Sequence, residues 1–402
     1  MSRRIAFIGN MNNNHFSMMR YFRDLGIDAE LLMYSNEPDH FRPQNDTWDW
    51  GRWAPYVRQL PFSNGGIDSL LVAPRRVRAA FAPYDVLVGN GISPVLCQRA
   101  GRNLDLFVPY GEGIEFIVEH YFSWRRPKAG AYSWLRKTMM EKALRSTVVL
   151  TVTANQHPVA QVPVRRLGLR AVQLAIPMLY VNRSASSPVA LDTTISAGVE
   201  RMKGSSLVVF SHVSHIWKNL PVPHFMGGCG KRNDWLIRGF AEYLAKSGNV
   251  NALLCFVDYG RDVPESKRLI EQLKIGRNVN WFPKMSRREI MAVLPWADIG
   301  GSEFAGMLWG GCGWEFLAAG VPMLHKLDNV EMYAPQAEPL PFFFNVNSPA
   351  EIASVLRTQD RDSLRRSGTE SRKWFQKYQG QTLAKKFAEL LGLQSSSPLT
   401  ND

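Results

Sequence analysis

Six glycines lie in the 14-residue stretch Gly300–Gly313, and this density limits what the chain can form there. A short apolar piece precedes them. A helix-forming run that carries Glu315 follows and ends at Gly320. The order predicts a strand, a glycine-rich loop, a helix that begins near Cys312 or Gly313, and a second strand from Met323.

The predicted loop and helix suit an anionic ligand. Glycines allow backbone to approach a ligand closely, and a helix N-terminus attracts anions because its free N–H groups and its dipole both face the ligand. We therefore expect Gly310 and Gly311 to contact phosphate and Glu315 to accept hydrogen bonds from sugar or ribose hydroxyls. The alternative is an ordinary tight turn between strand and helix, since glycine-rich loops are common.

A second motif follows the strand predicted at Leu207–Phe210. The run KRNDWLIRGFAE starts at Lys231 and predicts a helix with Asp234 in its first turn. The helix dipole stabilises a negative charge at that place. Two histidines, His212 and His215, stand directly after the strand. In such a position a histidine is more often a hydrogen-bonded structural residue than a phosphate ligand.

These two motifs resemble those of the retaining glycosyltransferases of glycosyltransferase family 4, which have the GT-B fold. The run EFLAAGVP, Glu315–Pro322, is close to the family's E-A-x-A-x-G-x-P, and the Lys231 run is close to its K-G-x-D-x-L-I-x-A-F-A. The family's first glutamate falls on Met307 here, and the nearest earlier acid is Glu303.

The resemblance implies an α/β GT-B fold: two Rossmann-like domains, a donor cleft between them, and a C-terminal helix that crosses back. It implies a hexosyltransferase that moves a sugar from a nucleotide-diphosphate donor to a hydroxyl of a growing glycan, lipid-linked or surface polysaccharide, with retention. No metal or other cofactor is expected. The residue roles that it implies are diphosphate binding and catalysis for Lys231, a place near the donor sugar for Glu303, phosphate binding for His212, Gly310 and Gly311, and ribose binding for Glu315.

The N-terminal part also predicts a doubly wound parallel sheet, because strand, loop, helix and strand follow each other from Ile5 to Tyr34. The first loop is not GxGxxG, which disfavours a nicotinamide cofactor. Ligands of such sheets bind at the carboxyl ends of the strands. We therefore place Gly9 and Asn10 on the donor and Asn12 on the acceptor side. An asparagine-rich turn without a ligand is an equally good interpretation.

Two further stretches interrupt the predicted alternation of strands and helices. Pro38–Gly66 is long, polar and rich in tryptophan. Functional loops are often this long, and tryptophans can stack on sugars, although packing of an insertion explains the stretch at least as well. The turn around Glu112 follows a predicted strand and resembles a family turn that faces the cleft. Glu112 is therefore expected on the acceptor side, with an ordinary surface carboxylate as the alternative.

Aromatic and basic residues are interleaved from Tyr121 to Arg145, with seven basic residues and one acid. Aromatic rings beside cations suit an anionic bilayer surface, and a solvated basic helix with inward-facing aromatics is the alternative. The predicted membrane-facing residues are Trp124, Arg125, Arg126, Lys128 and Trp134.

Composition limits the classes of molecule that the chain is expected to bind. The net charge of +13 indicates an anionic partner, but no nucleic-acid-binding signature supports DNA or RNA. Four dispersed cysteines disfavour a zinc site or a disulfide framework. No signal peptide or membrane span is recognised, so we expect a cytoplasmic protein with a peripheral contact at the inner membrane face.

The predicted domains are 1–185 for the acceptor and 207–376 for the donor. Between them lies a linker, 186–206, and after them a crossing helix, 377–393, and a disordered tail, 394–402. Two alternatives to a transferase are left open: an epimerase or phosphorylase on the same fold, and a non-catalytic subunit that binds a partner or a membrane.

Overall fold

Parallel strands and helices alternate along the chain in the computed structural model, which describes residues 3–109, 127–151, 158–181, 190–218, 230–333 and 339–393. The chain divides into two compact units, residues 1–180 with 378–402 and residues 181–377. In each unit the described strands form one parallel sheet.

The first unit has a seven-stranded sheet in the order β3-β2-β1-β4-β5-β6-β7. Its central strand pairs Ile5 with Ala29 on one side and with Val86 on the other. The central strands are continuously apolar because helices cover both faces of such a sheet. The strands are β1 Ile5–Ile8, β2 Ala29–Met33, β3 Val57–Gln59, β4 Val86–Gly89, β5 Leu106–Phe107, β6 Val148–Thr151 and β7 Arg170–Gln173.

Seven helices lie among these strands in the part of residues 1–180 that the structure describes. They are α1 Asn14–Asp24, α2 Trp50–Trp53, α3 Gly66–Leu71, α4 Pro74–Phe81, α5 Ser93–Arg99, α6 Pro127–Leu144 and α7 Pro158–Leu167. The core between helices and sheet is apolar and includes Phe81, Leu96 and Met140.

The second unit has a six-stranded sheet in the order β10-β9-β8-β11-β12-β13. Its strands are β8 Leu207–Ser211, β9 Ala252–Val257, β10 Val279–Phe282, β11 Ile299–Gly301, β12 Met323–His325 and β13 Phe344–Asn345. Both sheets follow the 3-2-1-4-5-6 order of a Rossmann-like domain, in which ligands bind where the strand order reverses. In the second unit that point lies between β8 and β11.

The helices of the second unit, and the last helix of the chain, complete the fold. They are α8 Thr193–Lys203, α9 Asn233–Ser247, α10 Val263–Gln272, α11 Arg287–Val293, α12 Gly311–Ala319, α13 Val330–Tyr333, α14 Pro349–Thr358, α15 Arg361–Tyr378 and α16 Gly380–Leu390. Short 3₁₀ turns lie at Met11–Asn13, Asp39–Phe41, Pro43–Asn45, Ala54–Tyr56, Gly276–Asn278 and Leu294–Trp296.

The doubly wound arrangement is confirmed in both units. Two edge strands differ from the sequence-based expectation. β3 lies inside the stretch predicted to be a loop, Pro38–Gly66, and β7 follows a helix without any predicted strand. Both have the short polar sequences VRQ and RAVQ and are largely exposed. An edge strand with little buried surface leaves no apolar run in the sequence.

Two segments between or after the domains are helical. The stretch 186–206, expected as a linker, contains α8, whose N-terminus is capped by the Asp192 side chain. At the end of the chain α15 stops and α16 begins at Gly380, where φ is +62°. There Gly380 lies against Tyr21 of α1, so α16 packs on the first unit.

None of the helices in the described ranges is both long enough and apolar enough to span a membrane.

The first loop of the chain depends on a glycine at position 9. Gly9 has φ +78°, and a Cβ there would stand 2.1 Å from the side-chain oxygen of Asn90. We expect Gly9→Ala to lower the free energy of unfolding by at least about 3 kcal/mol, because it combines left-handed strain with overlap in a packed site. Urea unfolding measures the change.

Gly101 provides the matched control for this substitution. It has φ +69° but no atom within 4 Å of the Cβ position. Gly101→Ala should therefore cost only about 1–2 kcal/mol of conformational strain. Equal losses in the two variants would show that packing against Asn90 does not matter.

Candidate functional site

The N-terminus of α12 is partly exposed and lined by glycines. Gly310 is the N-cap and Gly311 is the first helical residue, so the helix begins one residue before the predicted start. Gly320 ends it with φ +74°, as predicted. At Gly313 a Cβ would stand 2.3 Å from the ring of Trp309, which explains why this position has no side chain.

Lys231, Glu303 and Gly310 lie together at this helix end. The Lys231 ammonium contacts a carboxylate oxygen of Glu303 at 2.5 Å. The same oxygen is 3.2 Å from where a Cβ would stand on Gly310. Burial lowers the pKa of Lys231, but the Glu303 charge more than offsets this, and the pKa is raised. Lys231 is therefore a cation held beside a helix N-terminus.

Glu315 lies one turn into α12 and is 5 % exposed. One carboxylate oxygen is 2.5 Å from His212 Nε2, and the other accepts a hydrogen bond from Arg287 Nε at 2.7 Å. Burial raises the pKa of Glu315, yet His212 and Arg287 outweigh burial and lower it. Both oxygens are therefore engaged within the protein, and contact with a ribose stays a prediction.

His212 is the cationic partner of this carboxylate. Burial lowers its pKa, but neighbouring Cys312 and Glu315 more than offset the effect and raise the pKa of His212 to about 10. His215, three residues later, has the opposite state: burial lowers its pKa to about 4, and its Nδ1 is 2.7 Å from the Ser266 hydroxyl. His215 thus has a structural role, whereas His212 belongs to the charged site.

One group of side chains has the chemistry of metal ligands within the described ranges. A ring nitrogen of His212, the Cys312 sulfur and a Glu315 oxygen lie within 4.8 Å of one another. Two ligands of a tetrahedral zinc, each about 2 Å from the ion, stand about 3.3 Å apart. The 2.5 Å contact between His212 and Glu315 is shorter than that. The contact between His212 and Glu315 is therefore a hydrogen bond, and the expectation that no metal is needed stays a prediction.

The residues of the first loop that were predicted to bind a ligand have structural roles in the loop itself. Asn10 is fully buried, and its side-chain amide donates to Asn13 Oδ1 at 2.8 Å while its oxygen accepts from the Phe16 N–H at 3.0 Å. Asn12 has φ +50° in the short turn before α1. These bonds shape the loop at the carboxyl end of β1, and ligand contact by Gly9, Asn10 and Asn12 stays a prediction.

Several predicted residues belong to the surface or fall outside the described ranges. Lys128 and Trp134 lie on α6, where Trp134 is 59 % exposed. Glu112, Trp124, Arg125 and Arg126 lie outside the residues that the structure describes.

Sequence reasoning missed Arg287 and Cys312. The capping box of Ser286 and Glu289 was recognised in the sequence and is present, but it marks only where α11 begins. Nothing in the sequence connects Arg287 with a carboxylate 28 positions later. Cys312 was read only as a start of the helix, because its approach to His212 depends on how α12 packs beside β8.

Comparison with solved structures places the fold. Over 97 % of this chain and 99 % of the other, it superposes on HepE of Anabaena, solved with UDP-glucose, with TM-score 0.62 at 15 % identity. It matches WaaG, a glycosyltransferase involved in lipopolysaccharide biosynthesis, with TM-score 0.54 at 15 % identity over 96 % and 99 %.

A third match is to a protein with a different named activity. The putative UDP-N-acetylglucosamine 2-epimerase of Listeria monocytogenes superposes with TM-score 0.51 at 11 % identity over 99 % of both chains. No family model and no curated protein matches the sequence.

The chain has the GT-B fold. Two Rossmann-like sheets of seven and six strands and near-complete coverage of the matched chains establish it. At this level of identity the GT-B likeness concerns the fold, so an activity has to be argued from the chemistry of the site.

The charge on His212 makes stability depend on pH. Its folded pKa of about 10 exceeds the unfolded value of about 6.5. Its stabilising contribution is complete below that unfolded value and is lost as the pH rises to 10. We expect a decrease of up to about 1.4 kcal/mol per pH unit between pH 7 and 9. Urea unfolding at pH 7, 8 and 9 should show this decrease in the wild type and not in His212→Gln.

His215→Gln is the control for this measurement. Because the pKa of His215 is lowered to about 4, that side chain is neutral between pH 7 and 9, and its replacement should keep the wild-type slope. If His212→Gln also keeps the slope, His212 is not charged in the folded protein.

Proposed function

We propose that this chain is a retaining glycosyltransferase of family 4. It would transfer a hexose from a nucleotide-diphosphate sugar to a hydroxyl of a growing glycan, lipid-linked or part of a surface polysaccharide. Support comes from the GT-B fold, from the glycosyltransferases among its structural neighbours, and from the anion-binding chemistry at the N-terminus of α12.

One observation carries the proposal. The carboxylate of Glu303 lies where a ligand phosphate would bind: 2.5 Å from the Lys231 ammonium and against the glycine-lined N-terminus of α12. A protein carboxylate at that point indicates that the surroundings stabilise negative charge. A diphosphate carries more negative charge than a carboxylate and gains more from the same surroundings.

A second cation lies at the same helix end. Arg287 has a terminal guanidinium nitrogen 3.7 Å from the Cβ position of Gly311, and its side chain is 13 % exposed. A donor diphosphate would lie between Lys231 and Arg287 over the free N–H groups of the helix. As the sugar leaves, charge develops on the diphosphate, and preorganised donors stabilise it in the transition state. The two cations and the helix supply this stabilisation without a metal ion.

Glu303 would have two positions in the reaction. Without a donor it neutralises Lys231. When a diphosphate takes over Lys231, the carboxylate is released and becomes an acceptor for hydroxyls of the donor sugar. Glu315, held by His212 and Arg287, would position Arg287 and accept from the ribose. Asn12 and Glu112 remain proposals for the acceptor side.

Binding of a donor tests the proposed site. A screen of UDP, GDP, ADP, dTDP and CMP sugars by thermal shift should find one that stabilises by about 2.7 kcal/mol at 100 times its dissociation constant. Lys231→Met removes a charge-assisted hydrogen bond of about 1.5–3 kcal/mol and should weaken the binding of that donor by about 10- to 100-fold. Glu303→Gln should increase the affinity for the nucleoside diphosphate, because the competing carboxylate is gone. The same variant should slow sugar transfer.

The control is Lys246→Met on α9, where Lys246 is exposed and paired with Glu242; donor affinity should not change. Binding with transfer to an acceptor supports the transferase. Binding with conversion of the sugar and no acceptor supports an epimerase. If no donor stabilises the wild type, the chain is better described as a non-catalytic subunit, and the proposed function is wrong.

We also propose a peripheral contact between α6 and an anionic membrane surface. Exposed residues recur along one side of this helix at intervals of three or four: Trp134, Thr138, Lys142 and Arg145, which follows the last helical residue. A tryptophan that can enter the headgroup region and cations that attract anionic lipid are the two components of interfacial binding. A growing glycan on a lipid carrier would bring the acceptor to the same surface.

Vesicle binding tests this surface. Cosedimentation with vesicles rich in phosphatidylglycerol should weaken about fivefold in Lys142→Ala, because each cation near the surface contributes about 1 kcal/mol. Trp134→Ala should weaken vesicle binding more than Lys142→Ala does. Trp296→Ala should not weaken it; this control removes a tryptophan that is 44 % exposed on the second unit. Equal binding of all variants would exclude α6 as the membrane contact.

A further inference from the structure

Cys312 differs from the other cysteines that the structure describes. It is the second residue of α12 and is partly exposed. Cys97 and Cys255 are fully buried in helix and sheet cores, where burial raises the pKa of Cys97 to about 12 and that of Cys255 well above its usual range. Buried thiols of this kind are inert, whereas partly exposed thiols in an electropositive setting react.

The surroundings of Cys312 contain an imidazolium and a carboxylate that orients it. The sulfur, a ring nitrogen of His212 and an oxygen of Glu315 lie within 4.8 Å of one another. His212 Nε2 is bonded to Glu315 at 2.5 Å, and the side chain is 2 % exposed. The other ring nitrogen, Nδ1, has no hydrogen-bond partner within the described residues. A cationic imidazole that is held by a carboxylate beside a thiol favours the thiolate, which is the reactive form of cysteine.

We propose that Cys312 is a modification site: a reactive thiol, served by His212 and Glu315, that small electrophiles and peroxides modify in the folded protein. The pKa of His212, raised to about 10 by Cys312 and Glu315 against the effect of burial, agrees with an imidazole that holds a proton beside the sulfur. The nearby Lys231 and the helix N-terminus add positive potential, and the Cys312 charge in turn contributes to raising the pKa of Lys231.

The chemistry with a peroxide is balanced. The Cys312 thiol releases its proton to water, the His212 imidazolium stabilises the resulting thiolate, and the sulfur attacks one peroxide oxygen. The O–O bond breaks, and the leaving hydroxide takes up the released proton to become water. Sulfur is oxidised to sulfenic acid, and the peroxide is reduced. With iodoacetamide the sulfur displaces iodide and forms a thioether.

A modified Cys312 would block the anion site. The residue follows Gly311, whose Cβ position is 3.7 Å from the Arg287 guanidinium, so an adduct would occupy space between the helix end and the cations. This consequence rests on the proposed function, since it assumes that a diphosphate binds there. The reactivity of the thiol does not depend on that assumption.

The experiment measures alkylation of the intact, folded chain by iodoacetamide at pH 7, with mass spectrometry that resolves each cysteine peptide. Cys312 should react at least about tenfold faster than Cys312 in His212→Gln. His215→Gln, which replaces a histidine bonded to Ser266 instead, should keep the wild-type rate. Circular dichroism shows whether each variant is folded.

A second measurement tests the proposal even if His212→Gln does not fold. In the wild type, the Cys312 peptide should react faster than glutathione under the same conditions, and brief hydrogen peroxide should convert it to a dimedone-reactive sulfenic acid. A rate no greater than that of glutathione, or one unchanged in folded His212→Gln, would overturn the proposal.

Pyrophosphate added before labelling separates the two hypotheses. Slower labelling supports both the thiol and the anion site. Fast, His212-dependent labelling that pyrophosphate leaves unchanged supports the thiol and counts against the placement of the donor phosphates.

Discussion

The buried carboxylate of Glu315 determines where three elements of the second unit meet. Glu315 is on α12, His212 follows β8, and Arg287 begins α11. A buried carboxylate costs several kcal/mol in lost hydration, and this loss is offset only when both oxygens have well-placed partners. The contacts at 2.5 and 2.7 Å therefore hold the helix N-terminus in register with the end of β8. Gly310, Gly311 and Cys312 take their positions from this network.

Close packing of α12 on the sheet is the second condition for the site. At Gly300 a Cβ would stand 2.5 Å from the ring of Phe316, and at Gly301 it would stand 2.4 Å from Leu236. The strand thus has no side chains where α12 and α9 approach it. This explains why glycines occur in β11, where they weaken a strand, and not only in the following loop. The density of glycines in this stretch therefore serves packing, in addition to the anion binding that we propose.

The sequence allowed prediction of elements whose signal is local. Apolar runs marked the central strands, Gly320 marked the end of α12, and Ser286 with Glu289 marked the start of α11. The pair of Lys231 and Gly310 was also expected in one site, through a resemblance. β3 and β7 were missed because edge strands bury little. Arg287 and Cys312 were missed because their role depends on partners far along the chain, and side-chain pairing across elements leaves no period or spacing in the sequence.

The pairing of both site cations with carboxylates decides which ligands can bind. Lys231 is neutralised by Glu303, whereas Arg287 shares the single carboxylate of Glu315 with the His212 cation. A neutral sugar offers no charge to replace Glu303, so it cannot separate this pair. A monovalent anion exchanges one single charge for another and gains little. A diphosphate brings at least two negative charges, which both cations and the helix N–H groups stabilise together. In the proposed function Glu303 would therefore act as an internal competitor that favours multiply charged ligands, and its release upon binding would couple occupation of the proposed phosphate site to a free carboxylate beside the donor sugar.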